Sequence, residues 1–166
     1  MANTPEQRAA RLAVAAASPD AANRRARAEW LGLYASNAEV HDPVGTPACR
    51  KDAKTRPETG KNDLELFYDT FIAGMKSMSV DVAMDVVVGD VVARDVTLRP
   101  TMSFGVQSAI PTRLLYELVD ENGKLAVRCL GEVTEEKLAT LRKVDTIFLD
   151  ELHNEEVDLA GLDRIL

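Results

Sequence analysis

Asp42 stands in a short stretch well suited to hold a carboxylate still. In Glu39-Val40-His41-Asp42-Pro43-Val44-Gly45-Thr46-Pro47, Pro43 fixes its own φ and Gly45 can take a positive φ. Asp, Pro and Gly also make an ordinary turn, and that reading is sufficient for the nonapeptide alone. The chemical reading needs a setting. A carboxylate facing an apolar hollow has its charged form disfavoured by lost hydration, which raises its pKa and makes it a better proton acceptor.

Few other residues compete for a chemical role. The two histidines, His41 and His153, and the two cysteines, Cys49 and Cys129, are too few and too scattered for a metal site or a disulfide framework, so no metal and a reduced, cytoplasmic setting are expected. His41 precedes Asp42 in an extended segment and is expected on the opposite side, as a surface or interface residue. Cys49, with only Arg50 and Lys51 beside it, reads as incidental. There is no Gly-rich phosphate loop and no internal repeat, and no cofactor is implied. With 20 Lys and Arg against 27 Asp and Glu, a net charge of -7 and a pI near 4.9, neither nucleic acid nor an anionic membrane is an expected partner.

The elements that would position Asp42 can be read from caps and periodicity. At 166 residues, 46% hydrophobic and 28% charged, the chain suits one soluble domain with a real core. The Ala-rich start reads as a helix and not as a leader. Thr4-Pro5-Glu6-Gln7 resembles a capping box and opens that helix, which is expected to end near Ser18. Ser18-Pro19 reads as the cap of a second helix running to about Tyr34, with Trp30, Leu31 and Tyr34 on its buried side. Asn62 caps a third, in which Leu64, Phe67, Tyr68, Phe71, Ile72 and Met75 form an apolar stripe. From Ser79 the pattern turns to β, with turns at Gly89-Asp90 and at Asp120 to Gly123 joining antiparallel hairpins. Thr134 then caps another amphipathic helix containing Leu138, Leu141 and Phe148. The acidic stretch from His153 is either a loose tail or a strap over an apolar surface.

Three helices followed by a curved antiparallel sheet make an α+β cone, with a domain over 1–133 and a helical extension over 134–166. Such a cone encloses an apolar hollow suited to small molecules, with Asp42 at its mouth. In Val91 to Pro100 two registers are open. If Asp95 faces inward, Thr97 and Arg99 do too, and this is the register expected here; if outward, Arg94, Val96 and Leu98 line the hollow. Arg128 and Glu117 pose the same choice, meeting in the hollow or on an outer face.

The run LYASNAEVHDPVGTP, a spacer, and a helix containing LELFYDTFI resemble the ketosteroid isomerase branch of the nuclear transport factor 2-like, or SnoaL-like, superfamily, over roughly residues 20 to 132. The resemblance implies Asp42 as general base moving a proton between carbons beside a carbonyl. It also implies Tyr34 and Tyr68 as members of a buried hydroxyl network. The family's oxyanion donors are a Tyr on the first helix, which here has no aromatic residue, and a protonated Asp, whose position falls on Leu115. Losing one such donor costs about 10²–10³ in turnover, so Tyr68 is the expected replacement, with Asp95 as a further acid.

Two function classes follow. One is a cofactor-independent isomerase or lyase for a hydrophobic, steroid-like or polyketide-like carbonyl compound, with Asp42, Tyr68 and Asp95 catalytic and Trp30, Tyr34, Phe67, Phe71, Arg99, Leu115 and Arg128 around the ligand. The other is a non-catalytic binding or assembly module of the same fold. A homodimer is the expected state in either case.

Overall fold

The computed structural model describes the backbone of residues 2–41 and 48–162, with side chains to residue 151. Helix α1 spans Pro5–Asn23 and α2 spans Arg27–Gly32, followed by strand β1 over Tyr34–Val40 and the short β2 over Cys49–Arg50. Helix α3 covers Asp63–Phe67 and continues as a π-helical turn over Tyr68–Ile72. Strands β3 (Met75–Val88), β4 (Val91–Met102), β5 (Ile110–Glu121) and β6 (Lys124–Glu132) follow, and α4 runs from Glu135 to Leu162. Among the described residues, no helix is long and apolar enough to cross a membrane.

The capping signals act where the sequence puts them. Thr4 and Asn62 each close a reciprocal capping box, with Gln7 and Glu65 respectively, and Thr134 Oγ1 accepts from the Lys137 N–H at 3.2 Å. Ser18-Pro19 does not begin a new helix. Helix α1 runs through Pro19 to Asn23, with Ala15, Ser18, Ala21 and Ala22 buried. An interior Pro costs about 3 kcal/mol, and burial of this small-residue face against the rest of the core offsets it. The break comes instead at Arg25, whose φ of 55 ends the helix, so the second helix is only six residues long and Tyr34 starts a strand.

The six strands form one sheet in the order β2-β1-β6-β5-β4-β3. It is mixed and not wholly antiparallel: β1 runs parallel to β6, with Tyr34 opposite Val127 and Val40 opposite Leu130. The reason is connectivity, because α3 and the β3–β6 meander intervene before the chain returns beside β1. Helices α1 to α3 cover one face, where Trp30, Tyr34, Leu64, Tyr68, Val92, Tyr116 and Val127 share a core. On the other face Val86, Ala93, Val133 and Leu138 form a smaller core beneath α4. Burying each large side chain contributes about 1.5–3 kcal/mol.

One ionic clasp joins the two faces around the β3 edge. Arg8 of α1 binds Asp145 of α4 through both guanidinium nitrogens, at 2.5 and 3.0 Å. The other role of Asp145 is to accept from the Val87 N–H at 3.2 Å, which occupies a donor on an edge strand. The Asp145 carboxylate is nearly buried while Arg8 is one-fifth exposed. Removing the cation strands a charge out of water, which is costlier than losing the pair's attraction. Arg8→Ala is therefore expected to destabilise the fold by about 3 kcal/mol, read from urea unfolding, and Asp145→Asn by less, because the amide carries no stranded charge.

Candidate active site

Between the α1–α3 layer and the sheet lies a cavity of about 420 Å³, within the size range of small-molecule sites. Its helical wall is built around Trp30, which is 3% exposed. The Trp30 ring lies 4.6 Å from Tyr34, 6.0 Å from Phe67 and 5.5 Å from Tyr68, centroid to centroid. Leu98 and Pro100 of β4, Leu114 and Tyr116 of β5 and Leu130 of β6 supply the sheet wall. Phe71, 55% exposed, stands at the rim. The π turn puts it there: the Ala73 N–H reaches back five residues to the Tyr68 carbonyl, so Leu64, Tyr68 and Ile72 turn inward and Phe71 turns out.

The helical wall is fastened by a second ionic cluster. Asp69 accepts from Arg27 at 2.9 and 3.1 Å and from Lys61 at 2.6 Å, tying α2 to the turn after α3. These donors, Arg27 first, hold the Asp69 carboxyl down at about 2.

Polar groups in the cavity are sparse and concentrated. Ser18 Oγ and Tyr34 Oη lie 3.0 Å apart, both buried and both lining it. Thr112 and Tyr116 add hydroxyl-bearing side chains from β5. Nearer solvent, His41 lines the cavity with its imidazole two-fifths exposed and Nε2 3.5 Å from Glu39 Oε2, and Glu132 lies beside it. His41 is a surface residue, as expected, and it also borders the hollow, while its side relative to Asp42 lies outside the described residues.

Of the residues singled out in the sequence, Trp30, Tyr34, Phe67 and Phe71 line the cavity, whereas Asp42 lies outside the described residues. Tyr68 is not part of the lining. It is a core tyrosine whose hydroxyl is buried without a hydrogen-bond partner among the described residues, and burial pushes its pKa up.

Four expectations about the strands are corrected. Asp95 faces the opposite side of the sheet, where with Arg113, Glu135 and Arg142 it borders a groove under α4. Arg99 is exposed and pairs with Asp81 across the β3–β4 ladder at 2.5 Å. Leu115, opposite Ala93, belongs to the small core under α4. Arg128 sits on an exposed surface 3.8 Å from Glu117. The physical reason is shared: successive strand residues alternate faces, and Leu98, Pro100, Leu114 and Tyr116 hold the inward parity.

Ser18, Thr112, Tyr116 and His41 went unnoticed as cavity residues. For β5 a signal existed, since Thr112, Leu114, Tyr116 and Leu118 recur at every second position. For Ser18 it was hidden by the resemblance of Ser-Pro to a helix cap. Among the described residues no group of His, Cys, Asp and Glu side chains could hold a metal ion.

The fold is shared with several solved proteins over about three quarters of the chain. The Δ5-3-ketosteroid isomerase of Mycobacterium sp. superposes with a TM-score of 0.57 at 23% identity, over 76% of this chain and 93% of that one. The chain has the ketosteroid isomerase-like, nuclear transport factor 2-like fold. A Mycobacterium tuberculosis protein of this fold, solved in complex with estradiol-17beta-hemisuccinate, matches with a TM-score of 0.58 at 18% identity, over 76% and 94% of the two chains. A computationally designed 17-OHP binder matches at 0.60 and 17%, over 76% and 93%.

No family profile matches the chain. Against curated proteins it shares shorter stretches with glutamine-hydrolysing GMP synthases. Identity is 48% over 48 residues in Carboxydothermus hydrogenoformans and 37% over 71 residues in Finegoldia magna, covering 29% and 43% of this chain. The matched stretches amount to 9% and 13% of those enzymes, so the chain spans about a tenth of the length of the curated relatives it matches.

The Asp69 cluster gives a prediction with a definite sign. A carboxyl titrating near 2 in the folded protein and near 3.9 when unfolded stabilises the fold above about pH 4, and the contribution disappears as pH falls through 2. Asp69→Asn should lower stability at neutral pH by up to about 1 kcal/mol. The wild-type and variant curves should converge as thermal unfolding is repeated at pH values descending toward 2.

Proposed function

We propose that this protein is a cofactor-independent isomerase or lyase for a hydrophobic carbonyl compound, with the Asp42 carboxylate as the proton-transferring base. The observation that carries the proposal is the cavity: about 420 Å³, walled by aromatic and aliphatic side chains, with His41, the residue before Asp42, at its more exposed end. The likeness in fold to a Δ5-3-ketosteroid isomerase supports it.

In this reading the Asp42 carboxylate removes a proton from a carbon adjacent to the substrate carbonyl. The C–H electron pair moves into the new C=C bond and the carbonyl π pair onto oxygen, giving an enolate. The proton then returns at a different carbon, restoring the carbonyl with the double bond moved. An apolar wall favours this chemistry in two ways. It raises the basicity of a carboxylate by withholding water, and it keeps the enolate from being quenched by bulk solvent. The sheet wraps the ligand as a cone in this scheme, and residues 134–166 lie outside the reacting unit formed by 1–133.

A second reading is a binding module that holds such a ligand without turning it over. It is favoured by Leu115, which carries no donor and packs beneath α4, and by Tyr68 standing off the cavity lining. The solved likenesses include a protein in complex with an estradiol derivative and a designed 17-OHP binder. The likeness to GMP synthases adds no third reading, since it spans so little of those enzymes.

The test follows conversion of a β,γ-unsaturated steroid ketone to its conjugated isomer by ultraviolet absorbance, in wild type and Asp42→Asn. General base removal is expected to cut turnover by about 10²–10⁴ with ligand binding retained. Turnover that survives the substitution overturns the role of Asp42. Binding with no turnover in either protein selects the module.

A further inference from the structure

We propose that a second hollow, between α1 and β3, is a binding site for a small carboxylate on a short hydrocarbon stem, anchored on the Arg94 guanidinium. It is distinct from the aromatic cavity, and the proposal does not rest on that cavity's holding a ligand. Pro19 and Met78 border both hollows and form the partition between them.

Arg94 is 6% exposed and its side chain lines this hollow of about 260 Å³. A guanidinium carries five N–H donors and no acceptor. Asp85, its cross-strand neighbour, takes one of them, accepting from Nε at 2.7 Å. Among the described residues no other side chain or carbonyl accepts from Arg94, so Nη1 and Nη2 have no partner. Neither is sealed off, since the fully enclosed side-chain nitrogens and oxygens without a partner are Arg11 Nε and Tyr68 Oη. The end edge of the guanidinium therefore opens on the hollow.

Two parallel N–H groups on that edge match the two oxygens of a planar carboxylate. A cation this far out of water needs acceptors, and Asp85 leaves most of its donors unanswered. The other groups nearby do not take the place. Asp20 lines the hollow, but its carboxylate is more than half exposed and engaged by Arg24 Nε at 3.0 Å. Asn23 Oδ1 accepts from the Met78 N–H at 2.9 Å, which leaves the Asn23 amide nitrogen as the end that can donate to a ligand. The remaining wall, Ala16, Pro19, Met78, Val80 and Val82, is apolar. The volume falls below the ~300–1,000 Å³ of drug-sized sites, which suits a short acid. A phosphate would bring up to two negative charges to a cation already shared with Asp85, whereas a carboxylate brings one.

The test uses the full chain labelled with ¹⁵N at arginine and ¹³C at valine methyls, titrated with sodium butyrate against sodium chloride at equal ionic strength. Butyramide serves as the uncharged probe of the same shape. The Arg94 guanidinium and Val80 methyl signals should shift together and saturably with butyrate, with one apparent Kd, and butyramide should bind more weakly. Arg94→Met combined with Asp85→Asn removes both charges, so that no carboxylate is stranded, and should weaken butyrate binding at Val80 by at least about 10-fold, the worth of hydrogen bonds to a charged group. Val82→Phe fills the hollow with the ion pair intact and should abolish the shift at Arg94. Each variant is checked for a native spectrum, and either one alone decides if the other does not fold. Shifts that chloride reproduces, shifts that do not saturate, or equal affinity for butyrate and butyramide overturn the proposal. So does saturable binding that persists in a folded variant.

Discussion

The burial of Trp30 is the interaction on which the cavity depends. Its ring touches Tyr34 at the start of β1, Phe67 at the end of α3 and Tyr68 in the turn that continues it, so one side chain of α2 sets the distance between β1 and the α3 segment. An open cavity forgoes dispersion contacts that a filled core would make, and its walls must therefore be held apart from behind. Trp30 does this with area and shape, and the Arg27–Asp69–Lys61 cluster does it on the outer side with charge-assisted hydrogen bonds. Phe71 extends the same wall by packing on Phe67 at 5.2 Å, yet it stays half in solvent at the rim.

The sheet separates two kinds of chemistry by alternation alone. The cavity face carries Leu98, Pro100, Leu114 and Tyr116, while the face toward α4 carries Asp95, Arg113 and Leu115. Arg94 is the exception that tests the rule. It has the inward parity and is buried under α1, but beside a separate hollow lined by Pro19 and Asp20, where its Nε donates to Asp85 at 2.7 Å. A charge of that parity is tolerated because it is paired with a carboxylate and kept off the apolar walls. The cavity thereby keeps a low polarity in which each remaining hydroxyl counts for more than it would in water.

Much of the architecture was legible from the sequence because it is written in local chemistry. Thr4 and Asn62 state the helix starts, Gly89-Asp90 and the Asp120 to Gly123 turn state the hairpins, and Leu64, Tyr68 and Ile72 state which side of the third helical segment is buried, although Phe71 of the same stripe is exposed and Met75 already belongs to β3. Strand parity was harder to read. In Val91 to Pro100 each face mixes apolar residues with charge, Arg94 among Val92, Val96 and Leu98, and Asp95 and Arg99 with Val91 and Ala93, so alternation gives little contrast, and Asp95 fell on the wrong side. Irregularities between Val82 and Met84 and between Glu117 and Leu118 compound the difficulty, because each shifts the register that counting from a turn assumes. Ser18 was missed for a different reason. A Ser-Pro pair is a good helix cap, and only tertiary burial of the Ala15 to Ala22 face makes the helix run on through it.

The polarity of the cavity constrains its ligand more tightly than its volume does. Most of the lining offers dispersion only, which is tolerant of shape and indifferent to direction. Direction must come from the few lining groups that can hydrogen-bond: Ser18, Tyr34, Thr112 and Tyr116 on the walls, and His41 with Glu132 where solvent reaches. A buried polar group left unanswered costs about 1–3 kcal/mol, enough to select between ligands of one shape by roughly one to two powers of ten. Selection of that kind serves a catalyst and a simple receptor equally, which is why the polar lining belongs to either reading of the function while the carboxylate belongs to only one.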